Sequence, residues 1–164
     1  MDPSAIRRLG GEDEARQCAE MMAASEPWIT LGRTADVALR LIGDPNKEVY
    51  VAVDDRGVAG FIIIDMRGTF AAYLQSICVR PDCRGQGVGA RLMAFLERRA
   101  AQSGPNVFLC VSSFNARAQQ FYARLGYERV GILTNFVVQG HDEILLRKTS
   151  GPLVAARAGG GATS

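Results

Sequence analysis

"VRPDCRGQGVGARL", residues 79–92, sets three alternate glycines after a basic residue, between an apolar run and the start of a helical pattern. A turn of this composition lets successive backbone N–H groups converge, and the helix behind it adds roughly half a positive charge at its N-terminus. The stretch therefore suits an anion, most naturally a phosphate. Arg84 adds a full charge capable of a forked contact, and Gly85, Gly87 and Gly89 put no Cβ between a ligand and the backbone. A closely packed strand-to-helix turn with no ligand would use the same residues.

Two other phosphate loops fail against this stretch. A Walker loop needs GxxxxGK followed by Ser or Thr, whereas Gly89 is followed by Ala90 and Arg91. The dinucleotide fingerprint is GxGxxG, but these glycines are spaced GxGxG. No acidic residue ends the next strand, "NVFLCV", to take a ribose hydroxyl.

Outward from the loop, Leu92, Met93, Leu96 and Ala100 recur at helical spacing, predicting a helix over 87–101. Before it, "AIRRL" reads as a strand and "GEDEARQCAEMMAA" as a helix. "TADVALRLIG" reads as a second helix, with Thr34 as N-cap and Gly43 at its end. "KEVYVAV", "DDRG" and "VAGFIIIDM" form a hairpin, and "FAAYLQSICV" a long fourth strand. After it, "NVFLCV" is a fifth strand. Phe114, Ala118, Phe121, Tyr122 and Leu125 mark a helix closed by Gly126. "YERVGILTNFVV" and "DEILLRK" pair as a last hairpin around "QGH". The order describes an α/β (α+β) layer fold with a mixed sheet, in which the 87–101 crossover makes strands four and five parallel if they are neighbours. We expect one domain over residues 1–149. A mobile tail follows over 150–164, where "SGPLVAARAGGGATS" offers little surface to bury.

Composition narrows the function classes. The 164 residues carry 19 Lys and Arg against 17 Asp and Glu, so the net charge of +2 gives no basic surplus pointing to nucleic acid. The longest apolar run, "VAGFIII" at 58–64, is far short of a membrane span, and "MDPSAIRRLGGEDE" lacks a signal peptide's apolar segment. We therefore expect a cytoplasmic protein with no membrane partner. Cys18, Cys78, Cys83 and Cys110 show no CxxC pair and read as free thiols. The single histidine, His141, excludes a histidine metal cluster and reads as a hairpin residue, so no metal is expected.

"RGQGVG" matches the acyl-CoA signature of the GNAT superfamily of N-acetyltransferases: Arg or Gln, two residues, Gly, one residue, Gly or Ala. "ICVRP" before it and "NARAQQFYARLGYERVG" at 115–131 resemble the flanking motifs of that family, and the element order is similar over residues 4–148. The resemblance implies a mixed, mostly antiparallel central sheet of about seven strands flanked by about four helices, with strands four and five parallel and splayed. It implies acetyl-CoA as cosubstrate. The loop residues Arg84, Gly85, Gln86, Gly87, Val88, Gly89 and Ala90 would hold the pyrophosphate, and Ile77, Cys78 and Val79 would offer backbone groups to the pantetheine arm.

Asn115 and Tyr122 lie seven residues apart, two helical turns, and can share a face. Taken alone they read as an N-cap and a core aromatic; the resemblance makes Asn115 a pantetheine ligand and Tyr122 the catalytic proton donor to the departing sulfur. The implied reaction is direct attack of a primary amine on the thioester through a tetrahedral intermediate, on a protein amino group or a small molecule. A lysine-type amine costs about 4.6 kcal/mol to deprotonate at neutral pH and an α-amine only about 1.4 kcal/mol, so the acceptor sets the demand for a base.

Many family members carry a carboxylate on the fourth or fifth strand for this step; here those strands read "YLQSICV" and "FLCVSSF". Cys110 stands where some relatives have glutamate, and an ordinary thiol is a poor substitute. Glu26, Asp65, Asp142 and Glu143 are the carboxylates nearest the expected acceptor region, and no base is assigned among them. Glu26 and Trp28, in "SEPWITLGR", are the candidate substrate-binding residues, although a core role is the commoner one for a tryptophan. A catalytically silent acyl-CoA-binding module is the alternative reading. By analogy with family members, a homodimer is the expected assembly.

Overall fold

The computed structural model describes residues 5–154. In chain order the elements are β1 (Ile6–Arg8), α1 (Glu12–Ala23), α2 (Ala35–Ile42), β2 (Glu48–Asp54), β3 (Gly57–Asp65), β4 (Tyr73–Val79), α3 (Val88–Ala101), β5 (Asn106–Ser112), α4 (Ala116–Arg124), β6 (Glu128–Val138) and β7 (His141–Thr149). A short 3₁₀ turn at Pro81–Cys83, absent from the sequence reading, links β4 to the glycine loop. The seven strands form one sheet in the order β1-β2-β3-β4-β5-β7-β6, antiparallel throughout except for β4 beside β5. This is the mixed layer fold expected from the sequence.

The apolar run on β3 explains the layering. Its side chains alternate between faces: Ile62 and Ile64 pack with Leu92, Met93 and Leu96 of α3, while Phe61 and Ile63 pack with Cys18 and Met22 of α1 and Ala38 and Ile42 of α2. All four are fully buried. A strand covered on both faces needs no polar alternation, which is why it reads as a continuous apolar stretch.

Gly60 of β3 lets α3 settle onto the sheet. A Cβ there would lie 3.0 Å from the Cys78 carbonyl oxygen, 3.0 Å from Val88 Cγ1 and 3.2 Å from Leu92 Cδ1. The helix that begins in the glycine loop is thus seated directly over β3 and β4.

The helix ends follow local chemistry. Thr34 Oγ1 accepts from the Val37 N–H, and α1 opens with Glu12, Asp13 and Glu14, which favour the positive end of the helix dipole. The expected strand over 70–79 is shorter than read, because pairing starts only at Tyr73. Residues 67–71 instead turn through Gly68, and Phe70 leaves the sheet to stack on Phe108, 4.8 Å between ring centroids. Phe114 likewise precedes its helix, because Asn115 is the N-cap. His141 begins β7, its ring edge-on to Phe114, and all four cysteines are free thiols. The expected tail falls mostly at 155–164, outside the described residues. Among the described residues no helix is long and apolar enough to cross a membrane.

Candidate active site

β4 and β5 pair through only two residue pairs, Tyr73 with Phe108 and Leu74 with Leu109, and then separate. Beyond that point the C-terminal half of β4 has lost its β5 neighbour, leaving backbone groups without a ladder partner on that side. Two cavities open there.

The larger, about 770 Å³, runs along Ile77–Val79, the glycine loop and the inner face of α4. Gly85 and Gly87 hold φ of +74° and +80°, the left-handed region where a Cβ is strained. Gly87 caps α3 with no side-chain bond, and the first turn of that helix carries no acid. As a result the N–H groups from Gly85 to Ala90 donate to no acceptor among the described residues, the first helical bond being Arg91 N–H to Gly87 O. A run of six free amides at the mouth of a 14-residue helix is a cradle for a polyanion.

Individual loop residues act differently from the simplest reading. Gly89 does not leave room for a ligand: a Cβ there would sit 3.3 Å from Phe121 Cζ, so this glycine serves the approach of α3 to α4. Arg84 lines the groove, but its Nε donates to Val79 O and its Nη2 to Ser25 Oγ, both at 3.1 Å, which ties the loop to β4 and to the end of α1. Gln86 turns away from the groove and donates to Asp82 O at 2.7 Å. Cys78 packs toward Met21 and Ser25, leaving only its backbone for the groove. Arg117 and Arg124 also line this cavity and escaped the sequence reading. Their signal was the same two-turn spacing that singled out Asn115 and Tyr122.

The smaller cavity, about 200 Å³, is walled by Glu26, Trp28 and Arg33 on one side and by Cys110, Ser112 and Glu143 on the other, with Phe136 and Val137 at its rim. The rim exists because the β6–β7 ladder is interrupted between Leu133 and Val138. There Asn135 adopts φ +53°, its N–H donating to Asp142 Oδ1 and its own Oδ1 accepting from Gly140 N–H.

Ile77, Cys78, Asn115 and Tyr122 line both cavities, so the two meet at these residues. Asn115 is an N-cap, its Oδ1 accepting from Ala118 N–H at 3.2 Å, and it also faces both cavities. Tyr122 is 6% exposed and its hydroxyl makes no hydrogen bond among the described residues; burial pushes its pKa up. The phenol therefore keeps its proton until something at the cavity junction accepts it.

The carboxylates sort by their partners. Asp65 is held by Lys47 Nζ at 2.5 Å, and Asp142 by the Asn135 N–H; neither lines the smaller cavity. Glu26 does, its oxygens accepting from Thr30 N–H and Oγ1. Glu143 is only 5% exposed, opposite Ser112 in the β5–β7 register and accepting from Ser112 Oγ at 2.6 Å. Burial raises its pKa, against the opposing effects of Ser112 and of His141. Cys110 is pushed up mainly by burial, against its bond with Tyr73, so the thiol is a poorer base than a free one. Trp28 is both core and cavity wall, 5% exposed beneath the Arg33 guanidinium at 4.3 Å.

A splayed parallel strand pair, a polyanion cradle at the following helix and a second cavity meeting the first at a tyrosine define an acyl-CoA-dependent transferase scaffold. Residues 14–127 match the family model for the acetyltransferase (GNAT) family, and this chain belongs to that family. An uncharacterized N-acetyltransferase of Methanocaldococcus jannaschii is 32% identical over 64% of this chain and 70% of its own length. N-alpha-acetyltransferase RimI of Mycobacterium tuberculosis is 28% identical over 92% and 95%. Among solved structures, the fold is shared with an aminoglycoside 6'-N-acetyltransferase complexed with coenzyme A, at 19% identity, TM-score 0.73 and 90% and 98% coverage. The Escherichia coli ribosomal-protein-S18-alanine N-acetyltransferase matches at 21% identity, TM-score 0.71 and 94% and 97% coverage.

Proposed function

We propose that this enzyme transfers the acetyl group of acetyl-CoA to a primary amine by direct attack on the thioester. The observation that carries this reading is the meeting of the two cavities at Tyr122, with the buried Glu143 in the wall of the smaller one. The Gly85–Ala90 amides fit the pyrophosphate, and the unpaired side of Ile77–Val79 fits the amides of the pantetheine arm, with Asn115 beside it. The thioester carbonyl then falls at the junction.

In the reaction the C–N bond forms as the C–S bond breaks, through a tetrahedral intermediate. The amine proton goes to Glu143 and the Tyr122 phenol gives its proton to the leaving sulfur. A carboxyl held above its ordinary range takes an ammonium proton with less penalty than an exposed one, so Glu143 answers the lack of a carboxylate on β4 and β5. A lack of carboxylate on those strands favours a silent acyl-CoA-binding module, and Glu143 weakens that alternative. On this reading the enzyme works in the cytoplasm on a small molecule or a protein amino group, and a homodimer is its expected assembly.

The test is free-thiol release from acetyl-CoA across α-amine and lysine-type acceptors. Tyr122→Phe should lower kcat by about a hundredfold or more while coenzyme A binding by calorimetry is retained. Glu143→Gln should cost a lysine-type acceptor more than an α-amine, because the first carries the larger deprotonation penalty. Full-rate turnover by Tyr122→Phe would remove the tyrosine from the chemistry, and coenzyme binding with no turnover of any amine would favour the silent module.

A further inference from the structure

Arg33 brings a charge to the smaller cavity that no described residue answers. Its N–H bonds Trp28 O at 3.0 Å and its guanidinium lies over the Trp28 indole, 4.3 Å from the ring centroid. The indole is locked in the core against α1 and α2, so the stacking aims the guanidinium. Among the described residues no carboxylate lies within ion-pairing distance of Arg33, and its side chain donates no hydrogen bond. By contrast, Arg80 is paired with Asp54 and Asp82, and Arg84 is bonded to Val79 and Ser25.

The carboxylates of the same cavity are directed elsewhere, Glu26 to Thr30 and Glu143 to Ser112. Burial lowers the Arg33 pKa with no acidic neighbour raising it. A half-buried guanidinium with a forked set of donors and no acceptor is a desolvated cation, which a bound oxyanion would relieve. The cavity is about 200 Å³, below the roughly 300–1,000 Å³ of sites that take drug-sized ligands. A molecule filling it reaches both walls.

We propose that the acceptor is a small amphoteric molecule of amino-acid size, whose carboxylate or other compact oxyanion is gripped by Arg33 while its amine faces Glu143 and the cavity junction. This rests on the transferase reading above and adds the acceptor's second functional group. Arg33 is then a specificity-determining residue. Its planar fork suits two carboxylate oxygens at once, which a lysine cannot match.

Matched acceptors test this: 3-aminopropionate against 3-aminopropanamide, which differ at the anion. Both are assayed by thiol release, and their binding to the coenzyme A complex by calorimetry. The wild type should favour the anion by about ten- to a hundredfold in kcat/KM, the range of one charged hydrogen-bonding contact. In Arg33→Ala that ratio should fall toward one, and Arg33→Lys should restore part of it, a rescue that loss of packing on Trp28 would not produce. Equal kcat/KM for the two acceptors in the wild type, or an unchanged ratio in Arg33→Ala, overturns the proposal. If no amine turns over, the transferase reading fails on its own. The calorimetric arm still decides this inference: 3-aminopropionate binding that Arg33→Ala abolishes supports it, and no preference for the anion overturns it.

Discussion

Glu143 occupies a position with two consequences at the scale of single residues. In the proposed mechanism it is the base, and it is also a cost to the fold, because burial disfavours its charged form. Its folded pKa lies above the unfolded value of about 4.3, so its contribution to stability is whole below that pH and is lost as pH rises through the folded value. Asp65 and Glu14 have the opposite sign: Lys47 and Arg7 hold them low, and their contributions are lost as pH falls. Replacing Glu143 with Gln should therefore flatten the decline of stability from about pH 4 upward and leave the acid limb in place. Urea unfolding of the two proteins across that range reads the difference; parallel curves would show that Glu143 titrates as an ordinary surface carboxyl.

At the scale of elements, the position of α3 depends on two glycines that act by different means. Gly60 is a contact point against a carbonyl and two packed side chains, whereas Gly89 faces the edge of one aromatic ring. Gly60→Ala should cost about 1–3 kcal/mol, as over-packing of a filled core does, and should weaken coenzyme A binding by lifting the start of α3. Gly89→Ala should cost less, because Phe121 is only partly buried and can swing by a few tenths of an ångström. Denaturant unfolding with coenzyme A calorimetry on both variants checks the order, and the reverse ranking would mean that α3 is seated by its contact with α4. The interruption of β6 is a second device at this scale. The turn at Asn135 breaks the ladder and places Phe136 and Val137 over the smaller cavity, where a regular hairpin would continue pairing.

At the scale of the whole molecule, two cores lie on opposite faces of one sheet, and the groove lies where β4 and β5 part between them. Groups from both layers reach it, Ser25 and Glu26 from the α1 side and Phe121 and Tyr122 from α4. A ligand seated there joins the layers. Coenzyme A at a hundred times its Kd should thus raise the unfolding free energy by about 2.7 kcal/mol, seen as a higher Tm. An unchanged Tm at high coenzyme concentration would mean that the folded chain does not bind it.

Much of this architecture was legible without coordinates, because it follows from local rules. The run through Phe61–Ile64 marks a strand buried on both faces, Thr34 caps its helix, and Gly85 and Gly87 supply backbone conformations that other residues resist. The seven-residue spacing of Asn115 and Tyr122 brings both to the same cavity, one capping α4 and the other on its inner face. Packing details were less accessible: Phe70 leaves β4, and Gly89 serves a helix contact. On the side of the smaller cavity the sequence offered Glu26, Trp28 and four candidate carboxylates, and only tertiary structure singled out Glu143 among the four and added Arg33. Glu143 meets Ser112 across 31 residues of chain because β7 inserts between β5 and β6, and Arg33 lies over Trp28 with no carboxylate among the described residues in ion-pairing reach. A chain encodes spacing along itself directly, while strand register and the pairing of distant charges are set by the packed whole; the glycine loop belongs to the first kind of information and the wall of the smaller cavity to the second.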